Sequence, residues 1–267
     1  MMSTEREKRY AARKTELEKR YGLELEAWQI VELMEMEKCQ KHCRDCGGMP
    51  CRNGTGRCPE AVVENGELYI VEKECPYAMA EKLAAASRQA GIPGRYATKT
   101  FDDYEATANN GAGIIYAANN PERWLYMYGG CGTGKTFLAS LIGKENLRVG
   151  REVIFTDFQK LLDELKSSFD DKAVTAEEVL RKYQTCEVLI LDDIGTGWFR
   201  DWGVSVLHQL LNYRYNENLR TVLTSNYDLA GLAQRLSRQE EYAASRIISR
   251  LREMSEVVYM GEEDRRG

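Results

Sequence analysis

Nothing in these 267 residues is long and apolar enough to cross a bilayer. The longest nearly apolar run, AGIIYAA at 112–118, is far shorter than the ~20 residues a membrane helix needs. The first residues, MMSTEREKRYAARKTELEKR, are densely charged and contain no apolar stretch, which excludes a secretory signal. A basic excess is missing as well: 37 Lys and Arg stand against 42 Asp and Glu, a net charge of −5. That balance counts against broad electrostatic coating of nucleic acid, but not against a small basic surface or a pore built from several subunits. Internal repeats and low-complexity tracts are absent too. What is left is a soluble cytoplasmic chain, 43% hydrophobic and 30% charged, long enough for one large or two modest domains.

Punctuation divides it. Residues 1–40 read as two helical pieces broken near Gly22. The second piece carries Leu25, Trp28, Val31 and Met34 at helical spacing, a stripe that either packs on its own domain or docks on a partner. Residues 41–90 hold most of the cysteines, a strand over 67–73 and a helix over 77–89. GIPGRY at 91–96 marks a boundary, giving domains 1–90 and 91–267. Beyond it, strands at 123–128, 152–157, 187–193, 220–226 and 255–260 alternate with helices. That alternation predicts an α/β fold with a parallel sheet covered by helices on both faces, preceded by a small helical, cysteine-bearing domain.

Gly129-Gly130-Cys131-Gly132-Thr133-Gly134-Lys135-Thr136 follows a strand and opens a helix, the context a phosphate-binding loop requires. Its glycines let backbone N–H groups turn toward phosphate, and the helix N-terminus adds partial positive charge. Lys135 is expected on the β- and γ-phosphates of ATP, and the Thr136 hydroxyl on Mg²⁺. VLILDDIG, at 188–195, then places Asp192 at a strand's carboxyl end to anchor Mg²⁺, and Asp193 as the base that polarises water. LTSN ends the next strand with Asn226, a candidate for orienting that water. Arg246 and Arg250 lie four apart on one face of ASRIISRLREM, either as a solvated basic face or as the source of an arginine finger.

These motifs, in this order and introduced by GIPGRYATKTFDDYE at 91–105, resemble the AAA+ ATPases of the DnaC/DnaI type that load replicative helicases. The resemblance implies that Gly130 to Thr136 and Asp192 bind Mg-ATP, and that Asp193 fills the catalytic acidic position, where many AAA+ enzymes carry Glu. It implies further that Asn226 is sensor I, Arg250 the finger acting in trans, and Arg265, with Arg266 as its rival, sensor II. The shorter Asp193 side chain suggests slow turnover, suited to an assembly and release switch. Lys166 and Phe169, in LKSSF, match the positions that grip single-stranded DNA, where a cation and a stacking ring are expected; the alternative is that Phe169 is a core or helix-end residue.

Five of the eight cysteines fall within residues 39–58. In a reducing compartment, Cys43-x2-Cys46 with neighbouring thiols points to zinc before disulfides, with an iron–sulfur cluster as a lesser alternative. Cys39, His42, Cys51, Cys58 and Cys75 supply more candidates than four ligands require. The resemblance favours Cys43, Cys46, Cys58 and Cys75, with a hairpin over 59–74 between the last two. The implied partners are a hexameric replicative helicase, single-stranded DNA and further copies of this chain. Two other readings are a transposition helper ATPase and a non-hydrolysing, ATP-dependent adaptor. A small-molecule kinase leaves Asn226 and Arg250 without a role. A replication initiator needs an appended DNA-binding domain for which the sequence leaves no room.

Overall fold

The computed structural model describes residues 2–46, 56–107, 110–111, 113–115, 120–169, 175–196 and 201–265, with backbone alone at 2–6, 42–46 and 201. The chain divides into two compact units, Met1–Lys82 and Leu83–Gly267.

In the first unit, helix α1 (Met2–Tyr21) ends where Gly22 takes φ 67° and donates its N–H to the Glu18 carbonyl, a left-handed helix stop. Helix α2 (Ala27–Cys46) follows and is tied back to α1 by Glu37, which accepts from Arg13 and from Arg20, the latter at 2.8 Å. Strands β1 (Arg57–Glu64) and β2 (Glu67–Glu74) form an antiparallel hairpin. Its turn is Asn65-Gly66, both at positive φ (54° and 80°), the residue pair such two-residue turns favour. Leu17, Leu25, Ile30, Leu33, Met36 and Leu68 make the core. The stripe, for which both packing on its own domain and docking on a partner were open, is split: Leu25 is inside, but Trp28, Val31 and Met34 are 59%, 51% and 37% exposed. Helix α2 is apolar on two faces, and the face through Ile30 and Leu33 is the one packed in the core with Leu17 and Leu68.

Helix α3 (Pro76–Gln89) carries the division between the units. The second unit is built on strands β3 (Trp124–Tyr128), β4 (Val153–Asp157), β5 (Val188–Ile194), β6 (Arg220–Ser225) and β7 (Ser255–Tyr259). They pair in the order β4-β5-β6-β3-β7, all parallel. Helix α4 (Lys135–Arg148) covers one face, where Leu138 and Ala139 pack with Leu125, Met127, Ile190 and Val222. The other face lies under α5 (Phe158–Ser167), α6 (Ala176–Thr185), α7 (Asp201–Asn216), α8 (Leu229–Ser237) and α9 (Glu241–Met254). This is the predicted α/β arrangement, with strand boundaries within a residue or so of those expected. The hairpin of β1 and β2 lies where one is expected over 59–74, and helices α6 and α8 are additions. In this second layer Arg214 is fully buried, a charge that is tolerated because its guanidinium donates to the carbonyls of Tyr183, Gln184, Cys186 and Arg220 and to the Thr221 hydroxyl.

Candidate nucleotide site

The loop between β3 and α4 turns through Gly132 (φ 80°) and Gly134 (φ 91°), conformations in which a side chain is strained. Helix α4 then begins at Lys135, so its first N–H groups open toward the loop. The Lys135 ammonium is largely buried and donates to the carbonyl oxygens of Gly129 and Gly130, at 2.9 and 2.7 Å. Burial lowers its pKa, and the nearby Cys131, Asp193, Asp192 and Glu262 oppose that shift. The Thr133 hydroxyl closes the loop on the Gly130 carbonyl at 3.0 Å. Cys131 is exposed at the loop's tip.

Parallel pairing of the strands carries the two aspartates to this loop. The Thr136 hydroxyl lies 3.2 and 3.0 Å from the two carboxylate oxygens of Asp192. Burial pushes the Asp192 carboxyl up, against the lowering effect of bonds from Thr224 and Thr136. Asp193 sits at φ 57°, and its carboxylate accepts from the Thr196 hydroxyl at 2.6 Å and from the Asn226 amide at 3.4 Å. Lys135, Thr136, Asp192, Asp193 and Asn226 are thus one cluster. Their chemistry fits a Mg-nucleotide: a glycine cradle at a helix start, a cation held by neutral carbonyls, and a hydroxyl–carboxylate pair of the kind that shares a divalent ion.

The segment after β7 runs across the loop. Gly130 N–H donates to the Gly261 carbonyl at 2.9 Å, and Arg265 N–H to the Gly132 carbonyl at 3.0 Å. The Arg265 guanidinium donates to the Glu105 carbonyl at 2.8 Å. Arg265 shares a cavity of about 380 Å³ with Tyr96, Tyr104, Phe137 and the loop from Gly132 to Thr136. Tyr96 stacks on Phe137 at 5.0 Å, and the half-buried Tyr104 hydroxyl accepts from Asn110 at 3.1 Å. Tyr104, Asn110, Thr196 and Thr224 were not anticipated from the sequence. Of these, Tyr104 lies in the stretch 91–105 that introduces the ATPase motifs.

Arg250 does not line this cavity. It lies on α9 against α7, donating to Asn212 and standing 5.2 Å from the Tyr215 ring centre, while its Nε and Nη1 have no partner among the described residues. Lys166 and Phe169 meet at a third place. Phe169, 65% exposed, is no core residue; its ring centre is 6.2 Å from that of Trp202, and the Lys166 ammonium lies 5.9 Å from the Trp202 ring.

Of the expected zinc ligands, Cys43 and Cys46 fall in the last turn of α2, with side chains outside the described residues, as is all of Cys51. Cys75 N–H donates to the Gly56 carbonyl, so Cys58, two residues along the opposing strand, lies on the same face of the ribbon's open end. Among the described residues no group of three or more His, Cys, Asp or Glu is arranged to hold a metal. No described helix is long and apolar enough to cross a membrane.

A parallel sheet in the order β4-β5-β6-β3-β7, with a glycine loop and two aspartates at its carboxyl end, defines an AAA+ P-loop protein. The model of the IstB-like ATP-binding protein family matches residues 69–267, and the chain belongs to that family. The replicative helicase loader DnaI of Bacillus subtilis (strain 168) is 27% identical over 271 residues, covering 88% of this chain and 82% of its own length. Among solved structures, a crystal structure of DnaI is similar with a TM-score of 0.56 and 28% identity, covering 63% of this chain and 94% of its own. One of the DnaC helicase loader has a TM-score of 0.53 and 25% identity, covering 62% of this chain and 99% of its own.

Proposed function

We propose that this chain is an ATP-dependent loader that places a hexameric replicative helicase on single-stranded DNA. The observation that carries the reading is the reach of its similarity: the match to a helicase loader spans 88% of this chain, more than the nucleotide-binding core alone. ATP with Mg²⁺ supplies binding energy for assembly and, on hydrolysis, the means of release. Lys135 and the amides around Gly132 to Thr136 hold the phosphates; Thr136 and Asp192 hold the metal. Asp193, held in place by Thr196 and Asn226, accepts a proton from the attacking water. Arg250 completes the site of a neighbouring copy, a role suited by its place away from its own loop; its Nε and Nη1 are buried where they stand, so the guanidinium leaves Asn212 and Tyr215 to reach that site. Arg265, beside Gly132, is the second sensor. Lys166, Phe169 and Trp202 form a cationic, aromatic platform for unstacked bases.

The first unit is the handle. Trp28, Val31 and Met34 offer the helicase an apolar helix face, bordered by Glu32 and Glu35. Zinc held by Cys43, Cys46, Cys58 and Cys75 ties the end of α2 to the open end of the hairpin, a reading supported by the shared face of Cys58 and Cys75. The test is capture of partners on the full chain, with ATP, from lysate of its native host. Recovery of a hexameric replicative helicase is expected. Recovery of a transposase without helicase overturns the loader and favours the transposition helper.

A further inference from the structure

Where β5 and β6 run side by side, their register slips. Leu191 stands opposite Leu223, but the next aligned pair is Ile194 with Ser225. Two residues of β5, Asp192 and Asp193, therefore face a single residue of β6, Thr224. This is a β-bulge, with Asp193 in the left-handed region at φ 57°, a conformation a non-glycine residue holds only under local constraint. The constraint is visible. Thr224 is 1% exposed; its hydroxyl donates to Asp192 Oδ1 at 2.5 Å and accepts the N–H of Asp193 at 2.8 Å. A hydroxyl has one proton. With that proton on Asp192, a lone pair is left for the Asp193 amide, so one side chain fixes a carboxylate and the backbone beside it. The Asp192 carboxylate is also met by the Thr136 hydroxyl of α4, 3.2 Å from Oδ1 and 3.0 Å from Oδ2. A continuous path thus runs Thr136–Asp192–Thr224–Asp193, joining the phosphate loop to the acidic position through the strand that leads into Asn226.

We propose that Thr224 is a positioning residue for ATP hydrolysis, holding Asp192 to the metal side and Asp193 to the water side of the site with one hydroxyl. The proposal rests on the ATPase reading above. Valine matches threonine in shape but leaves the Asp193 N–H and an Asp192 oxygen without this partner; serine keeps the hydroxyl and loses the methyl.

The test compares wild type, Thr224→Val and Thr224→Ser as full chains. It measures the affinity of a fluorescent ATP analogue with and without Mg²⁺, the Mg²⁺ concentration at half-maximal binding, steady-state turnover and Tm. For Thr224→Val the expected result is a fall in kcat of about tenfold or more with KM within about threefold, because aim is lost and not binding. Its Mg²⁺ requirement rises several-fold, consistent with a loosened support for a metal ligand, while Mg²⁺-free affinity holds within about twofold. Thr224→Ser restores kcat to within about threefold of wild type. The proposal is overturned if valine leaves kcat and the Mg²⁺ requirement unchanged, if serine is as impaired as valine, or if valine also destroys Mg²⁺-free binding. If wild type binds Mg-ATP without turning it over, the ATPase reading fails and the Mg²⁺ titration alone decides Thr224's hold on Asp192. If wild type binds no nucleotide, both fall together.

Discussion

Gly132 shows how tightly the candidate site is drawn. A Cβ built there falls 1.9 Å from Asp264 Oδ1, on a backbone already at φ 80°. Gly132→Ala is expected to destabilise the chain by about 1–3 kcal/mol, since the backbone is strained at this φ and the Asp264 side chain must move aside. Adding Asp264→Ala is expected to return the steric part but not the backbone part, and paired thermal melts measure both. Asp192 gives a prediction in pH. Burial raises its folded-state pKa above the unfolded value, so its protonated form is the stabilising one. That stabilisation is complete below the unfolded carboxyl range and is lost as pH rises through the folded value. Without Mg²⁺ or nucleotide, Asp192→Asn is therefore expected to raise Tm at neutral pH by about 2–4 °C and to have no effect near pH 3. A gain independent of pH contradicts the assignment. Arg250→Ala is expected to leave nucleotide affinity within about twofold and to lower turnover of the assembled protein by about a thousandfold. Wild-type turnover makes Arg250 a structural arginine between α9 and α7. Lys135, Thr136 and Asp192 were legible in the sequence because their motifs are local. Thr196, Thr224 and Asn110 were not: Thr224 reaches Asp192 only through a register slip between strands that are some thirty residues apart in the chain.

At the scale of elements, periodicity found the helices better than it found their buried faces. Both sides of α2 carry apolar residues three apart, and what decides between them is tertiary: Leu17 of α1 and Leu68 of the hairpin meet Ile30 and Leu33. The result leaves Trp28, Val31 and Met34 outward, which suits docking better than the sequence alone suggested. Helix α6 carries its own local signals, with Val179, Leu180 and Tyr183 at helical spacing and Thr175 capping it with Glu178 in a capping box. The platform between α5 and α7 pairs Phe169 with Trp202, 33 positions later, and no local pattern joins them. Phe169→Ala with Trp202→Ala is expected to weaken single-stranded DNA binding by about tenfold or more while nucleotide affinity holds, as titration with labelled oligonucleotide reads directly. Unchanged DNA affinity removes the platform.

At the scale of the molecule, alternating strands and helices foretold a parallel sheet, but not the order in which its strands lie. That order matters because it sets β5 and β6 side by side and so brings Asp192, Asp193, Thr224 and Asn226 together. In the proposed loader, nucleotide binding in the second unit governs delivery of a helicase held by the first. The most direct measurement is loading of the host's hexameric helicase onto closed circular single-stranded DNA, with and without this chain, under ATP and with Lys135→Ala alongside. The expected result is helicase on the circles only with wild-type chain and ATP, and loss of loading with Lys135→Ala. Equal loading with and without the chain, or full loading by Lys135→Ala, contradicts it.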